Sequence, residues 1–157
     1  MGAQHIYTSI EIAAPPAEVR KKFLAWDQLQ TYSPNGFIRS IAPADPAKPL
    51  EPGDKLIVQL KGISMKPTFL ESSPTLFRWA GAGLGGTFNG EHIFRFEASD
   101  TTPGRTTFVQ EEVFDGAMAW LIGEGWVAGA IGFRKSTVEG FKGFNADLKR
   151  WCEGRGE

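Results

Sequence analysis

The chain has 157 residues with 17 basic and 18 acidic side chains, a formal charge of −1. A single domain of that length, residues 1–157, buries roughly 68–70% of its unfolded surface, and the even charge balance leaves no electrostatic footprint for nucleic acid or an anionic membrane. One cysteine excludes an internal disulfide, two histidines with that cysteine make a nitrogen and sulfur metal site improbable, and no cofactor is expected.

Ile6, Thr8, Ile10 and Ile12 alternate with Tyr7, Ser9 and Glu11, the period of a strand, which Pro15 and Pro16 end. From Pro15 to about Leu24 the pattern is helical, with Val19 and Phe23 on one face and Lys21 and Lys22 toward water. Asp27 is the expected cap of a second short helix reaching Tyr32, stopped by Ser33-Pro34-Asn35-Gly36. Phe37 to Ile41 reads as a short strand, and the proline-rich run from Ala42 to Asp54 as a loop. Leu56, Val58 and Leu60 mark the next strand, and Lys66 to Glu71 and Leu76 to Ala80 two more.

Phe88 to Asp115 reads as two long strands closed by a turn at Asp100 to Gly104, giving about seven strands in all. Phe88, Gly90, His92, Phe94 and Phe96 share one face of the first, and Thr106, Phe108, Gln110, Glu112 and Phe114 one face of the second. A turn centred on Thr102 pairs residues whose numbers sum to about 204, setting His92 opposite Glu112 and Phe96 opposite Phe108. From about Met118 to Glu153 the period is helical, with Phe133, Thr137, Phe141, Phe144, Leu148 and Trp151 on one stripe. Gly123, Gly125, Gly129 and Gly132 each cost roughly 1 kcal/mol against Ala in a helix interior, so the start of this segment is either a helix making room for a neighbour or a loop before a shorter helix. Cys152, near the end of the pattern, is expected to be a half-buried structural thiol.

The order strand, two short helices, six strands and long C-terminal helix resembles the SRPBCC superfamily, also called START-like or birch-pollen-allergen-like, in its polyketide cyclase/dehydrase-related branch. The resemblance runs from Ser9 to Glu153 through SIEIAAPPAEV, LEPGDKLIVQL, LFRWAG, GEHIFRFE, TTFVQEEVFDG and FNADLKRWCE. It implies an α+β helix-grip fold, a curved seven-stranded antiparallel sheet around the C-terminal helix, with an internal cavity for hydrophobic ligands. The superfamily includes lipid and sterol carriers, hormone receptors, aromatic polyketide cyclases, oxygenase subunits and chaperone-associated domains, so the activity has to be argued from the site. Arg20 departs from the pattern where the family often has an aromatic residue, as does the glycine density after Gly116.

His92 and Glu112 are the candidate catalytic pair: an imidazole beside a carboxylate can take a proton, orient a ligand, or simply satisfy its partner's hydrogen bonds. Gln110 is a third polar candidate, able to donate to a ligand oxygen or to pair within the sheet. Trp79, Phe88, Phe94, Phe96, Phe108, Phe114, Trp120, Trp126 and Phe133 are the aromatic lining candidates, residue types that equally build a core. Gly81, Gly83 and Gly86 spell G-x-G-x-x-G, but the following TFNGEHIFRF alternates as a strand where a dinucleotide site needs a helix, so a hairpin loop at the cavity mouth is expected.

The expected function is therefore binding of a small hydrophobic or aromatic molecule, with a cofactor-independent cyclase or dehydratase as the alternative. A chaperone-associated module would need an apolar outer sheet face, whereas Asn89, Glu91, Arg95, Glu97, Arg105, Thr107 and Glu111 are the residues expected there. With no secretion signal and no apolar stretch near the ~18 residues of a membrane span, a cytoplasmic monomer or homodimer is expected.

Overall fold

The structure is a computed structural model that describes residues 4–83, 88–115 and 127–154. Strands β1 (Gln4–Ile12), β5 (Thr68–Ser73), β6 (Leu76–Gly83), β7 (Phe88–Ala98) and β8 (Thr106–Asp115) form an antiparallel sheet in the order β1-β8-β7-β6-β5. Strands β2 (Ile38–Pro43), β3 (Leu56–Leu60) and β4 (Ile63–Met65) form a second ladder in the order β2-β3-β4. The two are joined where the chain entering β3 meets β5, through a Lys55–Thr68 bridge and the Phe69 amide donating to Asp54 O at 2.8 Å. Helices α1 (Pro16–Leu24) and α2 (Leu29–Tyr32) follow β1, and α3 (Val127–Cys152) closes the chain. Among the described residues no helix is long and apolar enough to cross a membrane.

The β7–β8 register is the one the alternation dictates: His92 faces Glu112 and Phe96 faces Phe108. Its turn closes through Gly104 at φ 81°, a left-handed conformation that a side chain would strain. With that register fixed, Phe94, Phe96 and Phe108 point inward and meet Phe23 of α1, Phe77 of β6 and Phe144 of α3, all of them fully buried. The stripe read on the C-terminal helix is the face it buries: Thr137, Phe141, Phe144 and Leu148 are enclosed, and Trp151 stacks on Tyr32 at 4.6 Å. At Gly140 the helix comes so close to Phe37 that a Cβ there would lie 2.7 Å from the ring. The far end of the helix is fastened to the end of β1, where Lys149 Nζ donates to Glu11 O at 2.7 Å and Glu153 accepts from the Ala13 amide at 2.8 Å.

Three expectations change in detail. There are eight strands among the described residues rather than about seven, because the three-residue β4 between Gly62 and Pro67 is too short to show a period. Asp27 caps nothing: the chain turns at Ala25 directly into a 3-10 turn, Trp26–Gln28, which encloses Asp27 and leads into α2. Glu111 lies on the outer face as expected, yet it is only 6% exposed, because Arg95 and His5 reach across the sheet and each bonds one carboxylate oxygen at 2.6 Å. Those two bonds outweigh the desolvation that would raise its pKa and hold it below the ordinary carboxylate value. Arg20 takes a structural part, tying α1 to the β5–β6 turn through Ser73 O and Ser72 Oγ.

Gly129 and Gly132 lie inside α3, whereas Gly123, Gly125 and the rest of 116–126 lie outside the described residues. Gly81 and Gly83 end β6 and β7 begins at Phe88, so the G-x-G-x-x-G run sits between two strands of one sheet, with Gly86 outside the described residues. Cys152 is half-buried at the end of α3, and burial pushes its thiol up to about 12.

Candidate functional site

Strand pairing gathers the polar residues of the inner face. Thr8 of β1 sits opposite Gln110 of β8, and Glu112, two residues on, sits opposite His92 of β7. Because side chains two apart on a strand share a face, Gln110 and Glu112 flank the same imidazole. Across from them α3 contributes Phe141 and Asn145, one helical turn apart on its buried stripe.

The result is a continuous hydrogen-bonded network. Asn145 Nδ2 donates to Thr8 Oγ1 at 2.9 Å, and Thr8 Oγ1 donates to the main-chain oxygen of Gln110 at 2.8 Å. Gln110 Nε2 donates to Asn145 Oδ1 at 2.8 Å, and its Oε1 lies 2.8 Å from His92 Nε2. On the other side of the ring, His92 Nδ1 is 3.1 Å from Glu112 Oε1. Phe94 and Phe141 stack on the imidazole at centroid distances of 4.4 and 4.9 Å, and Trp79 meets it edge-on at 5.0 Å.

Burial decides the charge state. Thr8, His92, Gln110 and Asn145 are all buried, and Glu112 is the open member, with 15% of its side-chain surface accessible. Desolvation lowers the His92 pKa to about 4 against the opposing pull of its Gln110 hydrogen bond. Desolvation, helped by the charge of Glu91, raises the Glu112 pKa to about 8. The short contact would also suit an ion pair, but two charges taken out of water lose more hydration than one contact restores, so at neutral pH the pair is an imidazole and a carboxylic acid.

The structure brings His92, Glu112, Gln110 and Trp79 into one group. Phe94, Phe96 and Phe108 lie on the same face, enclosed by Phe23, Phe77 and Phe144. Phe88, Phe114 and Phe133 lie in β7, β8 and α3 with side chains outside the described set, and Trp120 and Trp126 lie outside the described residues. Sequence reading did not single out Asn145, Thr8 or Phe141 as site residues. Asn145 had a usable signal, a polar side chain near Phe141, Phe144 and Leu148 on an apolar helical stripe, where an unpaired amide would be costly. Thr8, one small hydroxyl among inward isoleucines, carries almost none.

Solved structures similar to this chain share its fold at low identity. A hypothetical protein, jhp0584, from Helicobacter pylori superposes with a TM-score of 0.67 at 12% identity, covering 95% of this chain and 88% of the other. Ara h 8.0201 gives 0.64 at 14% identity, covering 96% and 98%. The di-domain ARO/CYC StfQ from the steffimycin biosynthetic pathway gives 0.70 at 10% identity, covering 98% of this chain and 52% of that two-domain protein. No curated protein matches. The family model described as polyketide cyclase / dehydrase and lipid transport matches residues 3–149, nearly the whole chain. With the sheet wrapped on its long helix and that match in place, the chain belongs to the polyketide cyclase/dehydrase and lipid transport family, within the SRPBCC superfamily.

Proposed function

We propose that this protein binds a small hydrophobic or aromatic molecule against the inner face of the sheet, with Glu112 and His92 holding its polar group. The observation that carries this reading is an uncharged polar pair set among Trp79, Phe94 and Phe141, with Glu112 as its accessible edge. Apolar surroundings with a few placed polar groups are what a small-molecule site needs. Phe94, Phe96 and Phe108 form the packed floor, and Gln110 steadies the imidazole.

The test is native mass spectrometry of the protein from its own host, followed by denaturing extraction, then a tryptophan-fluorescence titration with any compound found. In a binder, His92→Ala and Glu112→Gln each lower affinity by up to about tenfold, the scale of one hydrogen bond. Unchanged affinity in both variants would make the pair purely structural.

A second reading, a cyclase or dehydratase, is favoured by the acid–base offset of the pair. A carboxylic acid with a pKa of about 8 is poised to give up a proton near physiological pH. An imidazole at about 4 is a weak base, which is why binding comes first. An enzyme would lose roughly 10²–10⁴ in turnover on Glu112→Gln with little change in affinity.

A further inference from the structure

The hydrogen-bonded network has a direction, and its ends set it. A main-chain carbonyl only accepts, so Thr8 gives its one hydroxyl proton to Gln110 O and must accept from Asn145. Asn145 therefore turns its amide nitrogen to Thr8 and its oxygen to Gln110, which answers with its own amide nitrogen. That nitrogen also reaches the main-chain oxygen of Phe141 at 3.4 Å, a second group that can only accept. Gln110 is left with its oxygen toward His92 Nε2, and an amide oxygen calls for a hydrogen on that ring nitrogen.

We propose that Thr8 and Asn145 are positioning residues which, through Gln110, hold His92 as its Nε2–H tautomer, so that Nδ1 presents a lone pair to Glu112 and the proton between them belongs to the Glu112 carboxyl. An ionised carboxylate facing that lone pair at 3.1 Å would have no hydrogen to share. A doubly protonated ring would satisfy both contacts but would bury a charge among Trp79, Phe94 and Phe141. Among the described residues, the elements packed on the ring offer no fixed charge to support it: β1 brings Thr8, β6 Trp79, β8 Gln110 and Glu112, and α3 Phe141 and Asn145. Glu91, next along β7, raises the cost of ionising Glu112.

The functional consequence, which rests on the binding reading above, is that the site selects a neutral polar group such as a ketone or phenol. A charged ligand would be desolvated there without a counter-charge.

The tautomer is measurable without any ligand, by long-range 1H–15N correlation on protein labelled with 15N-histidine at pH 7. His92→Gln separates its signals from those of His5. We expect a protonated Nε2 and an unprotonated Nδ1 in the native chain. Thr8→Val, which releases Asn145 and leaves Gln110 oriented only by its 3.4 Å contact with Phe141 O, should produce a population protonated at Nδ1, and Thr8→Ser should restore the native pattern. Both ring nitrogens protonated, an Nδ1–H ring in the native chain, or an unchanged tautomer in folded Thr8→Val would overturn the proposal. Should Thr8→Val not fold, Thr8→Ala, which removes the same hydroxyl without adding bulk, carries the same expectation and the same refutation. The native tautomer in a protein that binds no ligand would defeat the binding reading alone, and ligand binding with the other tautomer would defeat this one alone.

Discussion

Replacing Glu112 by glutamine should flatten the fall in stability between pH 6.5 and 8. The Glu112 carboxyl titrates near 4.5 in the unfolded chain and at about 8 when folded, so between those values the unfolded state has lost a proton the native state keeps. Its contribution is therefore fully present below pH 4.5 and lost as pH rises toward 8. His92 does the reverse: its pKa falls from 6.5 to about 4, so its contribution is present above 6.5 and lost as pH drops to 4. At about 1.36 kcal/mol per pH unit the two slopes cancel where they overlap, and above 6.5 only that of Glu112 remains. The native protein should lose up to about 2 kcal/mol between pH 6.5 and 8, a ceiling because the side chain is partly accessible. Glutamine has the same shape, donates to Nδ1 through its amide and does not titrate. Urea titrations of both proteins at half-unit steps would show the native midpoint falling relative to the variant, with other titrating groups cancelling in the difference. Parallel stability curves would refute the assignment of a buried carboxylic acid at this position.

Two glycines three residues apart on α3 should respond to alanine with opposite signs. Gly143 has nothing within 4 Å of a built Cβ, so Gly143→Ala should raise stability by up to about 1 kcal/mol, read as a higher Tm. At Gly140 a Cβ would sit 2.7 to 2.9 Å from three atoms of Phe37, so crowding of about 1–3 kcal/mol should exceed the propensity gain and lower the Tm. Asn145→Leu leaves the Gln110 amide and the Thr8 hydroxyl each short of a buried partner, and chemical denaturation should show a loss of about 1–3 kcal/mol. A pair of naphthalene ligands differing only in a methyl ketone or a carboxylate should separate by tenfold or more in favour of the ketone in a fluorescence titration, since the carboxylate gains no counter-charge from a neutral His92.

What could be read from the sequence was what a period encodes. Alternation over β7 and β8, with a short turn, dictates their pairing, because a slip of one residue would turn Phe94, Phe96 and Phe108 to water. The spacing of Phe141, Phe144 and Leu148 likewise settled the buried face of α3. Features that depend on partners distant in the chain stayed hidden. Glu111 sits at an outward position, and only the reach of Arg95 and of His5, more than a hundred residues away, encloses it. The link from Asn145 to Thr8 spans 137 positions and has no local signature. His92 and Glu112 were found because they share a hairpin; the residues that orient them were not, because they come from β1 and α3.

α3 is fastened to β1 at two places: Lys149 and Glu153 hold its last turn to Glu11 O and the Ala13 amide, and Arg134 donates to His5 O at 2.7 Å. At 1.5 Å per residue these anchors stand about 22 Å apart along the helix axis, with Phe141 about 10 Å from the nearer one. A rod pinned at two points to one strand cannot pivot about either, so the ring that stacks on His92 is carried by the span between them and keeps its distance from the imidazole.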